Sequence, residues 1–201
     1  MADIILGGLI ALLLVMLVVI KRAATGSVLD KPTGGPLVQL VNAFNLFCLL
    51  VVNPLVAVLL VTDHMQSADP SHATVEPSWL LKVLEISGLV VYLAGFLLMM
   101  WALITLGKNY QLGGSPPRAE DRLVATGPYR LIRHPMYTAA LGISFGLASL
   151  TQSWILAIVF LIYLALILLL IPREEEGLQQ AFGDQYDVYR GSTKRLIPFA
   201  Y

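Results

Sequence analysis

The chain is short of charge. Of its 201 residues, 13 are Lys or Arg and 13 are Asp or Glu, 13% together, where a soluble domain carries about 25%. The two signs cancel, so no overall field draws the chain to nucleic acid. Its one cysteine, Cys48, excludes an intrachain disulfide. The usual chemical motifs are also missing. There is no G-x-G-x-x-G after a strand, no Walker loop, no H-E-x-x-H and no C-x-x-C. What the chain has in excess is apolar side chain, 57% of all residues. That excludes intrinsic disorder and exceeds what so small a soluble body can hide. The composition is that of an all-α, polytopic integral membrane protein.

Crossing a hydrocarbon core of about 30 Å takes roughly 20 apolar residues. Residues 4–20, 37–62 and 79–106 supply three spans, the second with a kink expected at Asn53-Pro54. The first has Asp3 in place of a basic leader and is followed by Lys21-Arg22, so it reads as a retained span and not a cleaved signal. Residues 136–171 are too long for one helix. Dividing them at Thr151-Gln152-Ser153 gives two more spans, 136–150 and 154–171, joined as an antiparallel hairpin. Five spans form a single membrane domain. Residues 107–135 and 172–201 then fall on the same side of the membrane, and 12 of the 13 basic residues lie on that side, all but Lys82. The positive-inside rule makes this side cytoplasmic and puts the N-terminus outside. The outer loop carries His64 and His72 without a cysteine or a tight carboxylate cluster, so no metal site is expected. Thr138, Gly142 and Gly146 share one face of the fourth span and read as a close helix contact.

Three polar clusters remain, all cytoplasmic. The run 126–137, TGPYRLIRHPMY, brings two arginines, a histidine and two tyrosines to a helix N-terminus opened by Pro135. The run Pro172-Arg173-Glu174-Glu175-Glu176 sits at the other end of the hairpin, where it reads as an acidic first turn beginning at Pro172. A hairpin returns to its own side, so Arg133-His134 and Glu174-Glu175 must lie close together, as a structural ion pair or as a site. In the third run, Leu178, Phe182, Tyr186 and Tyr189 recur at helical spacing as an amphipathic segment able to roof a pocket.

Taken in order, LGKNY (106–110), RLV (122–124), GPYR (127–130), RHPMY (133–137), EExxL (174–178), FGDQYDVY (182–189) and RLIP (195–198) resemble the isoprenylcysteine carboxyl methyltransferase family. That family belongs to the wider group of membrane methyltransferases that includes phospholipid methyltransferases. The resemblance covers nearly half the chain. It implies an integral membrane fold that binds S-adenosylmethionine, and releases S-adenosylhomocysteine, at the cytoplasmic ends of its last helices. Carried over by position, Leu123, Val124, Tyr129, His134, Pro135, Met136, Tyr137 and Glu174 would bind the cofactor. Arg133, Glu174 and Glu175 would be the catalytic residues. Relatives place a substrate-contacting arginine where this chain has Leu170, so Arg133 and Arg173 are the candidates to hold substrate. Asp121 stands where relatives often carry histidine.

The implied substrate is a lipid-like or prenylated molecule entering from the bilayer, with carboxylate O-methylation ahead of phospholipid, amine or thiol methylation. A carboxylate, with a pKa near 4, is already a nucleophile at neutral pH and needs a cation but no base. An amine would need a proton acceptor. A sterol-reductase-like enzyme using a nicotinamide cofactor and a non-enzymatic membrane protein stand as alternatives. A gap between helices at Thr138, Gly142 and Gly146 would give a tailed substrate a lateral way in.

Overall fold

The computed structural model describes residues 2–30, 34–69, 71, 78–111, 113–115, 117–118 and 120–198. Lys31, His72 and residues 199–201 lie outside the described residues. The described chain is helical, with one isolated parallel bridge, Ile132 to Lys194. Its helices are α1 (Ala2–Thr25), α2 (Pro36–Phe47), α3 (Asn53–Val61), α4 (Met65–Ala68), α5 (Ser78–Leu106), α6 (Pro135–Thr151), α7 (Trp154–Phe182) and α8 (Asp184–Ser192). Among the described residues, four stretches are long and apolar enough to cross a bilayer: Asp3–Thr25, Pro36–Val61, Trp79–Asn109 and Trp154–Phe182. α6 has 17 residues, roughly 26 Å at about 1.5 Å each.

The helices leave large apolar side chains on their outer flanks, among them Leu12, Val19, Leu55, Leu97, Leu161 and Leu169. In water such surface would aggregate; in lipid it is the solvent-facing side. The inner flanks meet in one core that runs through α1, α2, α3, α5, α6 and α7 and includes Ile10, Val56, Tyr92, Phe96, Ile143 and Ile167.

Pro54 shapes the second crossing. A proline ring clashes with the carbonyl four residues back and donates no hydrogen bond. The helix accommodates it by widening one turn before, where Cys48–Val52 form a π turn between α2 and α3. Asn53 secures the irregularity: its Nδ2 donates to the Cys48 carbonyl at 2.8 Å, and its Oδ1 accepts from the Tyr92 hydroxyl at 2.9 Å. The expected kink is therefore a π turn tied to α5.

α5 and α6 form the most extensive helix pair, because glycine stands on both sides of their contact. A Cβ on Gly146 would come 2.6 Å from the Tyr92 nitrogen and 2.8 Å from the Gly88 carbonyl oxygen. A Cβ on Gly88 would meet the Leu150 nitrogen at 2.5 Å, and one on Gly95 the Ile143 nitrogen at 2.9 Å. Helix backbones approach this closely only where side chains are absent. The small-residue face of α6 thus closes a seam. The lateral gap expected there does not exist, because the backbone of α5 fills it.

α6 and α7 turn back on each other at Thr151-Gln152-Ser153. Gln152 adopts the left-handed conformation, φ 54°, and Ser153 caps α7 by accepting the Leu156 N–H at 3.1 Å. The far end of α7 differs from expectation. No new helix begins at Pro172; α7 runs unbroken through it to Phe182. Leu168, whose carbonyl loses its partner to the proline, and Pro172 are both exposed, so the unbonded carbonyl lies on an outer flank at the membrane boundary. The break falls instead at Gly183, φ 52°, so the 178–189 segment is divided between the end of α7 and the start of α8. We take the membrane part of α7 to end near Ile171, which leaves Arg173 to Phe182 beyond the hydrocarbon.

Candidate functional site

The start of α6 and the last third of α7 converge on Glu174 and Glu175, and the two carboxylates do different things. Glu175 is buried. Its Oε1 accepts from Arg133 Nε at 2.9 Å and lies 3.4 Å from His134 Nε2, while its Oε2 accepts from Arg195 Nη2 at 2.9 Å. Burial alone would raise its pKa, but hydrogen bonds from His134, Arg195 and Arg133 outweigh that and hold the carboxyl well below the usual range. Glu174 sits one residue earlier and faces a cavity. Its Oε2 accepts from the Tyr137 hydroxyl and from the Gly114 N–H at 3.2 Å.

The tail holds this arrangement in place. The bridge sets Arg133 N–H on the Lys194 carbonyl at 2.7 Å and His134 N–H on that of Arg195 at 3.0 Å. Thr138 Oγ1 donates to the Leu196 carbonyl at 2.7 Å, and the Tyr189 hydroxyl to that of Tyr129 at 2.8 Å. Arg133 adds its Nη1, which donates to the carbonyls of Arg190 and Thr193. Burial, then the neighbouring Glu174, pushes the Tyr129 phenol up, so it stays protonated and neutral. His134 stacks on Tyr137 with ring centroids 5.5 Å apart.

A cavity of about 160 Å³ opens here, walled by Leu123, Val124, Tyr129, Arg133, His134, Pro135, Met136, Tyr137 and Glu174 together with Gly113, Ser115, Asp121, Leu178, Phe182 and Tyr189. All the residues expected to bind cofactor line it. Glu175 stands behind the wall within its ion cluster. Arg173 is exposed and lines no part of the cavity. Asp121 accepts from the Arg118 N–H at 2.8 Å and from Gln111, and so tethers the 111–121 loop at the rim.

Several contributors were not singled out in the sequence. Gly114, φ 77°, turns its N–H onto Glu174 in a conformation that a side chain would strain. Gly113 lies so close to Tyr137 that a Cβ would overlap its hydroxyl. Asn42 reaches from α2 to the Gly113 carbonyl at 3.0 Å. Ser115 Oγ is buried and lacks a hydrogen-bond partner among the described residues. The Gly113-Gly114-Ser115 run was the one available signal, and it reads only as a loop.

A second, mostly apolar cavity of about 110 Å³ adjoins the first and shares Asn42, Asn45, Met99, Tyr110 and Met136 with it. It runs between α1, the π turn, α6 and α7, past Leu17, Cys48, Leu49, Leu103 and Ile143. At its mouth Lys21 holds Asp30 at 2.5 Å and lies 4.9 Å over the Tyr110 ring.

With this geometry in view, the comparisons with known proteins are specific. The family model for phospholipid methyltransferases matches residues 83–185, just over half of the chain. The chain belongs to the phospholipid methyltransferase family. It is 33% identical over 114 residues to protein-S-isoprenylcysteine O-methyltransferase B of Arabidopsis thaliana, covering 56% of this chain and 58% of that protein. Form A of the same plant is 32% identical over the same shares. The nickel-cobalt-cadmium resistance protein NccN of Alcaligenes xylosoxydans xylosoxydans is 26% identical over 148 residues, 74% of this chain and 62% of that one. The chain thus spans less than two thirds of the length of these relatives. Its fold is that of the eukaryotic intramembrane Ras methyltransferase, isoprenylcysteine carboxyl methyltransferase. The two structures superpose with a TM-score of 0.50 at 20% identity, covering 81% of this chain and 74% of the other. The protein is therefore an integral, multi-pass membrane protein of a methyltransferase family. The matched segment contains α6, α7, Glu174 and Glu175, but neither the first two crossings nor Arg195.

Proposed function

We propose that the protein is a membrane-integral methyltransferase that uses S-adenosylmethionine to methylate the carboxylate of a lipid-like substrate. The observation that carries this reading is one cavity bearing the polar groups of Glu174, Tyr137 and Tyr129 beside a second, more apolar one that shares part of its wall. The residues present suit the cofactor. A carboxylate and aromatic faces favour a sulfonium cation, the Ser115 hydroxyl, without a partner among the described residues, offers a hydrogen bond to a polar ligand, and Leu123 and Val124 offer apolar surface. When bound, S-adenosylmethionine supplies an electrophilic methyl group, and S-adenosylhomocysteine is the product.

The chain's own contribution is alignment and exclusion of water. Glu174 is positioned by Tyr137 and Gly114 to hold positive charge. Glu175 is committed to Arg133, Arg195 and His134, so it is not free to take a proton from an amine. A substrate carboxylate needs no such base, which favours O-methylation. Arg133 Nη2 makes no hydrogen bond among the described residues and is the donor we assign to that carboxylate. Arg173, exposed on the outer flank, is left to the headgroup region of the bilayer. We place five spans in the membrane, α6 being the short one, with the N-terminus outside and the cavity on the cytoplasmic side.

Equilibrium binding to protein purified in detergent tests the reading. S-adenosylhomocysteine should bind and NADPH should not. NADPH binding alone would make the protein a reductase, and binding of neither would remove the enzymatic reading.

A further inference from the structure

The apolar cavity holds a polar group that the proposed chemistry leaves unused. Tyr163 of α7 is 1% exposed and lines this cavity, and its hydroxyl has no hydrogen-bond partner among the described residues. One side of the ring packs on Phe44 at 5.5 Å between centroids. Tyr163 lies eleven residues before Glu174 on one continuous helix, roughly 16 Å deeper along the axis and so near the middle of a hydrocarbon layer of about 30 Å. An unsatisfied polar group at that depth is costly, and polar groups inside membrane proteins mark ligand paths. Ser144 of α6 lines the same cavity and also makes no hydrogen bond among the described residues. A structural tyrosine at this depth would be expected to bond a neighbour, as Tyr92 does to Asn53.

We infer that Tyr163 determines specificity by donating a hydrogen bond to an oxygen atom carried partway along the substrate's hydrocarbon chain. This rests on the reading of the apolar cavity as the tail site. The favoured substrate is then an amphiphile whose chain bears a carbonyl, ether or hydroxyl oxygen, and a plain hydrocarbon tail fills the cavity while leaving the phenol unpaired. The cost of that unpaired group sets the discrimination, about tenfold or more in affinity.

Native mass spectrometry of the full chain in detergent tests this without requiring turnover. The probes are octadecanoic acid and a set of keto-octadecanoic acids with the carbonyl moved stepwise along the chain. Wild type should retain one keto position about tenfold better than the unsubstituted acid, and Tyr163→Phe should abolish that preference while holding octadecanoic acid as before. Equal retention of every probe by wild type, or a preference that survives Tyr163→Phe, overturns the inference. Failure of the methyltransferase reading is separable, because it would appear as loss of S-adenosylhomocysteine binding with the keto preference intact.

Discussion

Glu175→Gln replaces a charge with an isosteric amide at the centre of the Arg133–His134–Arg195 ion cluster. The side chains of Glu175 and Arg133 are 5% and 8% exposed, that of Arg195 is 34% exposed, and all three lie within hydrogen-bond distance. Removing the carboxylate leaves Arg133 buried and charged with only carbonyls to face. Breaking a buried pair in this way costs about 3–5 kcal/mol. The Arg195 contact is partly screened by water and adds little. The lower figure, about 3 kcal/mol, is the appropriate one because the amide oxygen can still accept a bond. For a chain of this length it corresponds to a fall in Tm of about 6–12 °C. The assay is built into the protein. Cys48 is the sole cysteine and is 6% exposed, so its reaction with a thiol dye on heating reports unfolding. The pH dependence gives a second check. The folded pKa of Glu175 lies below its unfolded value, so its contribution is complete above the unfolded value of about 4.3 and is lost as pH falls toward the folded one. The gap between wild type and variant should therefore narrow as the pH is taken below about 4. An unchanged Tm, or a gap that does not narrow in acid, would refute the structural role assigned to Glu175.

Glu174→Gln should leave Tm nearly unchanged while weakening S-adenosylmethionine more than the neutral-sulfur S-adenosylhomocysteine, and titration of both by calorimetry will show whether the loss is unequal. Gly146→Val places a Cβ against the Tyr92 nitrogen and the Gly88 carbonyl, both backbone atoms that cannot swing aside. It should destabilise the α5–α6 pair by about 1–3 kcal/mol or more in the same dye assay. Single cysteines placed at Gly34, Ala68 and Gly191 in a Cys48→Ser background should be labelled from the cytoplasm, the outside and the cytoplasm respectively. Labelling of Ala68 from the cytoplasm would invert the topology.

Much of the hairpin was legible because its signals are local. Pro135 opens α6, the polar triplet 151–153 closes it, and antiparallel return forces Arg133-His134 toward Glu174-Glu175. What escaped reading depended on partners remote in sequence. Pro172 looks like a helix start, yet α7 passes through it because the carbonyl it orphans lies on an exposed flank. The amphipathic spacing from Leu178 to Tyr189 hides the bend at Gly183, since the period survives on either side of it. The Gly142/Gly146 face was recognisable, but Gly88 and Gly95, seven apart on one face of α5, become its partner only once α5 is packed against it. Which of two adjacent glutamates meets the ions and which the cavity turns on Arg195, Gly114 and Asn42, each from a different segment.

The two cavities divide along the same line as the family match. The one that Glu174 faces is walled chiefly by residues within 83–185, and the rest of its described wall is Tyr189, just beyond that segment, with Asn42 and Asn45. The apolar one draws Leu17, Lys21, Cys48 and Leu49 from the first two crossings and Asp30 from the loop between them, none of which the match includes. The π turn at Cys48–Val52 faces this cavity, so the irregularity imposed by Pro54 shapes its wall directly. With the α5–α6 seam closed by glycine contacts, a tailed molecule has no route between those helices. The lining of the apolar cavity instead reaches the Lys21–Asp30 pair and the turn that follows α1. On the function proposed above, the shared α5–α7 core would hold the methyl donor, and α1 to α3, with Tyr163 opposite them, would decide which chain can lie beside it.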